Sequence, residues 1–444
     1  MAEKTILVWF RNDLRIHDNE ILLEAVRKAD KVLPVYCFDP YYFQKKPDGS
    51  HKTGNIRARF LLESVENLRK NLRAFGGELI IRIGNPAVIL PQLAGQYNVN
   101  EVYHHREVAR EETTVSEQVE AALWKIKLNL KHFIGHTLYH KEDLPFPIKD
   151  IPNSFAIFKK KIERDSTVRT CLATPESIAV PEIDDPGKLP ALHELGLEQP
   201  YDDPRTDFVF EGGENAALEQ LQQFLLKIKL KNDYKSPRHS TRPNNSSKLS
   251  PWLALGCISL RHVYWEVINH QDVSDMGCTN QLLLDLLWRD YFRFMFKKHG
   301  QNFIVNKNLS RQTNEANTGE NLVFENWKNG NTGVPIVDAI MHELNATGYI
   351  SNYNRQIVAQ SLIKDMEVEW QKGATYFEEK LIDYSPASNW GNWAFIAGVN
   401  DAQVSKYNMV SKAITELETK SEFVKTWSPA LKETGYENFS THVV

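Results

Sequence analysis

The feature that leaves the fewest folds open is a change of periodicity along the chain. Short apolar runs alternate with helical spacing in the first third, and helical spacing stands alone in the second half. Thr5–Phe10, Val32–Phe38, Glu78–Ile83 and Glu101–His104 read as buried strands, while Asn19–Ala29, Asn55–Phe75 and Pro86–Tyr97 carry apolar residues at helical intervals. That alternation predicts a doubly wound parallel sheet covered on both faces. The turn after the first strand, Arg11-Asn12-Asp13-Leu14-Arg15, lacks the glycines of a dinucleotide fingerprint. The sheet is therefore not expected to hold NAD or FAD between glycine-rich turns.

From Pro145 to Pro204 prolines recur among acidic and polar residues, interrupted by a short basic helical piece at Phe158–Arg164. This stretch is expected to be a connector laid over the surface. Beyond Glu214 the pattern is helical almost throughout. Ser250-Pro251 places a capping hydroxyl before a proline, Pro335 opens a segment that closes near Gly348, and Ser351 opens the next. The expected division is an α/β domain over residues 1–135, a connector over 136–213 and an all-α domain over 214–444. A chain of 444 residues exceeds what one core usually supports, so two domains are the default.

The formal net charge of −4 excludes nucleic-acid binding by bulk electrostatics and leaves it to a local patch. Four cysteines far apart, with no Cys-x-x-Cys, argue against disulfides or a cysteine zinc site. His136 and His140 stand four apart without a third ligand, so no metal site is expected. With no leader and no stretch of membrane-spanning length, a cytoplasmic protein is the plain expectation.

Three constellations could carry chemistry. Lys227–Lys248 holds five lysines, two arginines and one acid, and runs into Asn245-Ser246-Ser247-Lys248-Leu249-Ser250-Pro251-Trp252. Hydroxyls, a lysine and the free amides of a helix start suit a phosphate, and equally suit a solvated basic loop with an ordinary cap. Asp285, Trp288, Arg289 and Phe292 share one helical face, where a planar ring could stack on the indole. A half-buried helix with local ion pairs is the plainer reading of that cluster. Repeated amides in Ser351-Asn352-Tyr353-Asn354-Arg355 and in Asp383–Trp393 suit the polar edge of a flavin. Eight of the ten tryptophans lie after residue 250, a density that a helical core explains one ring at a time.

Leu7-Val8-Trp9-Phe10-Arg11-Asn12-Asp13-Leu14-Arg15-Ile16-His17-Asp18-Asn19 resembles the opening of photolyases and cryptochromes. Thr332-Gly333-Val334-Pro335-Ile336-Val337-Asp338-Ala339 and the Asn389–Trp393 turn do so too, in order along nearly the whole chain. Thr137–Phe146, Ser247–Ala254, Leu287–Arg293 and Ser388–Trp393 are similar to the DASH branch.

The resemblance implies an α/β domain able to carry a folate (methenyltetrahydrofolate) antenna near Glu107, and a helical domain around a bent FAD. By the same likeness Tyr234, Ser246, Ser247, Lys248, Leu249 and Ser250 hold the FAD phosphates and ribityl chain, with Arg289 also on the cofactor. Arg355 and Asp383 form a charged pair over the isoalloxazine beside Ser385, and Asn389 faces the flavin N5. Asp285, Trp288 and Asn352 line a pocket for a flipped-out pyrimidine dimer, and Arg238, Gln356 and Phe395 join Trp288 and Asn352 in contacting DNA. Trp393 and Trp370 match the inner members of an electron relay. The implied activity is blue-light repair of cyclobutane dimers, favouring single strands, by a monomer. The rival is a photoreceptor that signals without repair. Three positions depart from the family: Asp285 stands for a usual Glu, Ser385 for a usual Asp, and Asn317 occupies the outer relay position. Asn352 replaces the histidine acid that (6-4) repair would need.

Overall fold

The structure, a computed structural model, describes residues 3–47, 49–230, 246–270, 276–304, 318–399 and 422–428. The α/β layers are built from β1 (Thr5–Phe10), α1 (Glu20–Lys28), β2 (Lys31–Phe38), α2 (Asn55–Ala74), β3 (Ile80–Ile83), α3 (Pro86–Gln96), β4 (Val99–His105), α4 (Arg110–Lys125) and β5 (Leu130–Phe133). The strands form one parallel sheet in the order β3-β2-β1-β4-β5, with Val8 opposite both Pro34 and Tyr103. The fifth strand was not expected from sequence. Leu-Lys-His-Phe is short and half polar, and only pairing with β4 makes it a strand.

Alternation along the strands sends successive side chains to opposite faces. Leu7, Trp9, Leu33, Val35 and Ile80 pack beneath α3 and α4. Ile6, Val8, Phe10, Tyr36 and Phe38 face the other way, into a core shared with α1, α2 and the helical half. That half comprises α6 (Glu214–Leu230), α7 (Ser250–Ala254), α8 (Leu260–Asn269), α9 (Met276–His299), α10 (Thr318–Asn329), α11 (Pro335–Thr347), α12 (Asn352–Gln360), α13 (Trp370–Lys380), α14 (Pro386–Ile396) and α15 (Glu422–Trp427). A second core gathers α10 to α14 around Trp327, Trp370, Phe377 and Trp393. Gly348, in the left-handed region at φ 67°, ends α11 as its sequence position suggests. Ser351 caps α12 by accepting from the Asn354 amide. Ser250 does not cap α7. It lies inside the first turn, and the Ser247 hydroxyl accepts from Leu249 N at 3.4 Å instead.

The connector is less superficial than its prolines suggest. Its helix α5 (Phe155–Asp165) buries Phe158 and Ile162, and Ile178, Leu192 and Leu195 also enter the core. Two of its carbonyls, Ala179 and Pro186, accept from the backbone amides of Val32 and Ile81. Its polar composition covers one side, and its spaced apolar residues anchor the other.

Buried polar contacts lock the two halves together. Arg261 pairs with Asp18 at 2.6 Å, Arg15 donates to the Gly256 carbonyl, and Glu214 accepts from the amides of Ile16 and His17. Asp290, fully buried, accepts from Leu138 N and Tyr139 N at 2.9 Å each. Among the described residues no helix is long and apolar enough to cross a membrane, and no cluster could hold a metal ion.

Candidate functional site

Three helices and a loop bring the amide-rich segments together. α12 supplies Asn352, Arg355 and Gln356. The loop after α13 supplies Asp383, Tyr384 and Ser385, and α14 supplies Ser388, Asn389, Asn392 and Trp393, all lining one cavity with Phe377 of α13. Close helix approach makes this possible. A Cβ on Gly391 would stand 2.5 Å from the Phe292 ring, so α14 can lie against α9 only with glycine there, and Gly373 likewise makes room for the Trp393 ring.

Arg355 donates through Nη2 to Asp383 Oδ2 at 2.8 Å and through Nε to the Ile350 carbonyl at 3.0 Å. The second carboxylate oxygen of Asp383 is buried and has no partner, in a residue only 8% exposed. An orphaned buried oxygen costs about 1–3 kcal/mol, so the site is built to receive a donor from something it binds. Asn389 Nδ2 donates to the Ala374 carbonyl at 3.0 Å, which leaves the amide oxygen as the acceptor for a guest. Ser385, at the N-cap of α14, lies beside this pair without a charge.

The other predicted residues lie on α9, which packs against α14, and on α14 and α12 themselves. Asp285 reaches solvent from α9 and accepts from Gln281 Nε2 at 2.8 Å. Crowding around the carboxyl pushes its pKa up to about 6, with the Gln281 bond pulling the other way. Trp288 is half-buried, and Phe395, 39% exposed, meets it edge-on with ring centroids 5.3 Å apart. Asn352, which lines the cavity, is exposed.

Ser246, Ser247 and Lys248 form a tight turn, Lys248 in the left-handed region at φ 55°. Ser246 Oγ lies 3.3 Å from Tyr349 Oη. The Lys248 ammonium sits 4.2 Å over the Phe208 ring, and burial lowers its pKa. Leu249, the residue preceding α7, is fully buried. Tyr234, Arg238 and Asn317 lie outside the described residues.

Two expected ligands also make contacts within the protein. Arg289, read as cofactor-binding, donates to the carbonyls of His136 and Leu253, so its guanidinium joins backbone segments across the two halves. Glu107, the expected antenna contact, is 2% exposed. Its Oε2 takes Arg293 Nη2 at 2.6 Å, and its Oε1 takes Asn12 Nδ2 at 2.9 Å. Each carboxylate oxygen thus already accepts one bond within the protein.

The tryptophans are linked through other rings. Trp393 meets Phe377 at 5.1 Å and Trp327 at 6.3 Å, while Trp370 meets Trp390 at 5.8 Å. Sequence reasoning missed Asn392, which sits inside the quoted Asn-Trp-Gly-Asn-Trp turn and was readable there.

Profiles of two families match the chain, one described as DNA photolyase over residues 6–181 and one as FAD binding domain of DNA photolyase over residues 282–442. The chain is 42% identical to a protein named cryptochrome DASH from Gloeobacter violaceus, over 97% of this chain and 87% of that one. A Synechocystis protein of the same name is 40% identical over 96% and 88%. The crystal structure of a Synechocystis cryptochrome superposes with a TM-score of 0.89 at 39% identity, covering 97% of this chain and 90% of that one. A bacterial class III photolyase from Agrobacterium tumefaciens gives 0.80 at 26% identity, covering 97% and 88%. Sheet order, helical cavity, family profiles and full-length relatives agree, and the chain belongs to the DASH branch of the photolyase/cryptochrome family.

Proposed function

We propose that this protein uses light absorbed by a bound FAD to split cyclobutane pyrimidine dimers in DNA, with preference for single strands. The observation that carries the reading is the Arg355–Asp383 pair with its orphaned carboxylate oxygen, set beside Asn389 in one cavity, with Trp288 and Asp285 on α9, the helix that packs against α14. A flavin fits that donor set: an imide N–H answers Asp383 Oδ1, and the Asn389 oxygen can accept from a protonated N5. When bound, FAD supplies the photoexcited electron.

The residues of the chain do the rest. Arg355 fixes the Asp383 carboxylate, and Ser246 and Ser247 offer hydroxyls to the cofactor's polar chain. Trp288 and Phe395 present aromatic surface on which a flipped base can stack, while Asn352 and Asp285 can hydrogen-bond its edge. A base already unpaired costs less to extrude, which favours single strands. Asp285 is one methylene shorter than the usual glutamate, so its grip on the lesion is weaker than that of its relatives.

The test is to irradiate reduced, FAD-loaded protein with oligothymidine containing dimers and follow recovery of base absorbance. Light-dependent recovery is expected. Its absence in protein with bound, reduced flavin would overturn repair and favour the photoreceptor reading.

A further inference from the structure

We propose that Phe155, on the connector helix α5, is a positioning residue for the lesion pocket: it props one face of the Trp288 indole and holds that ring ready for an incoming base. The inference rests on reading Trp288 as the stacking platform. The two rings lie parallel, 3.5 Å between centroids and 10° between planes. Phe155 lies outside the short motifs that carry the resemblance in the sequence.

The contact is clamped from both sides. Just ahead of α5, Lys298 of α9 donates to the Ile151 carbonyl at 2.6 Å and to Asn153 Oδ1 at 2.8 Å, and Tyr291 Oη donates to the Asn153 carbonyl. Behind Phe155, Phe158 and Ile162 are fully buried. The Phe155 ring also meets Tyr291 edge-on at 5.5 Å. The helix that carries Trp288 thus grips the segment that carries Phe155 at three points. The backbone that carries Phe155 is held against α9, as a prop requires and a plug occupying the place of the base does not. Phe395 and Phe292 border the indole at 5.3 and 5.4 Å, and the ring stays half-buried. With its rotamer already set, Trp288 loses little conformational freedom when a base stacks on it, and the saving appears as affinity.

Binding of FAD-loaded protein in the dark to a fluorescent oligothymidine with one cyclobutane dimer, and to its undamaged counterpart, tests this. Flavin content and melting temperature confirm that each variant is folded. Phe155→Ala should bind the dimer roughly five- to tenfold more weakly, within the range of one base–aromatic stack, and leave undamaged binding unchanged. Phe155→Tyr should restore the difference. Phe155→Leu, which fills the space without a π-face and is the fallback if the alanine variant does not fold, should lose it. Dimer binding unchanged or tightened in Phe155→Ala, equal weakening toward both oligomers, or a leucine variant like wild type would overturn the role. A wild-type protein that does not distinguish the two oligomers would instead bring down the platform reading, and the prop with it.

Discussion

Replacing Glu107 should destabilise the fold. Glu107 and Arg293 are both buried, with side chains 1% and 5% exposed, and meet at 2.6 Å across the two halves of the molecule. Burial works against the Glu107 charge, and the neighbouring His136 and Arg293 favour it. His136 is itself pushed down to about 3 by burial, so at neutral pH Arg293 carries the effect, and the carboxyl lies below its ordinary range. Removing one partner of a buried pair costs up to about 3–5 kcal/mol, less where a second carboxyl can take over, as Glu112, held neutral by burial and by the Glu107 charge, can here. Glu107→Ala should lose up to that much in urea unfolding followed by circular dichroism. Glu107→Gln keeps an acceptor for Asn12 and should lose less. Because the folded-state pKa is depressed, the Glu107 contribution is present above its unfolded value of 4.5 and disappears as pH falls through the folded value. The gap between wild type and Glu107→Gln should therefore close in acid. A loss under about 1 kcal/mol for the alanine variant, or a gap independent of pH, would refute the domain-locking argument.

Further outcomes follow from the same geometry. Asp285, pushed up to about 6, should give dimer binding an inflection near pH 6 that Asp285→Asn removes, while Asp285→Glu should bind the dimer more tightly; both are read by anisotropy titration. Gly391→Ala would drive a methyl into Phe292, and such overpacking costs about 1–3 kcal/mol; the purified variant should melt lower and retain less flavin. Asp383→Asn weakens the link to Arg355 and should reduce flavin retention on gel filtration, whereas a variant retaining full stoichiometry would remove the pair from the binding site. Trp393→Phe should abolish light-driven flavin reduction by an external thiol, since that ring both lines the cavity and contacts Trp327.

Much of this molecule is legible in one dimension. Four of five strands, the alternation that covers the sheet, the starts of α11 and α12, and the amide-rich segments of the cavity all express local rules of periodicity, proline placement and side-chain chemistry. Those rules act over a few residues, so they can be read without knowing what lies opposite. β5 escaped them because a short, half-polar segment becomes a strand only when β4 offers its edge. Tertiary structure alone decided which polar groups are spent and which remain open. Glu107 and Arg289 carry the residue types of a ligand site, and partners 186 and 153 positions away engage part of their bonding capacity. Asp383 keeps one oxygen free because Arg355 reaches only the other. Phe155 meets Trp288 because Lys298 and Tyr291 tether a distant connector to α9. A side chain's chemistry is set by its residue type, and its availability by groups that only folding brings within hydrogen-bonding distance.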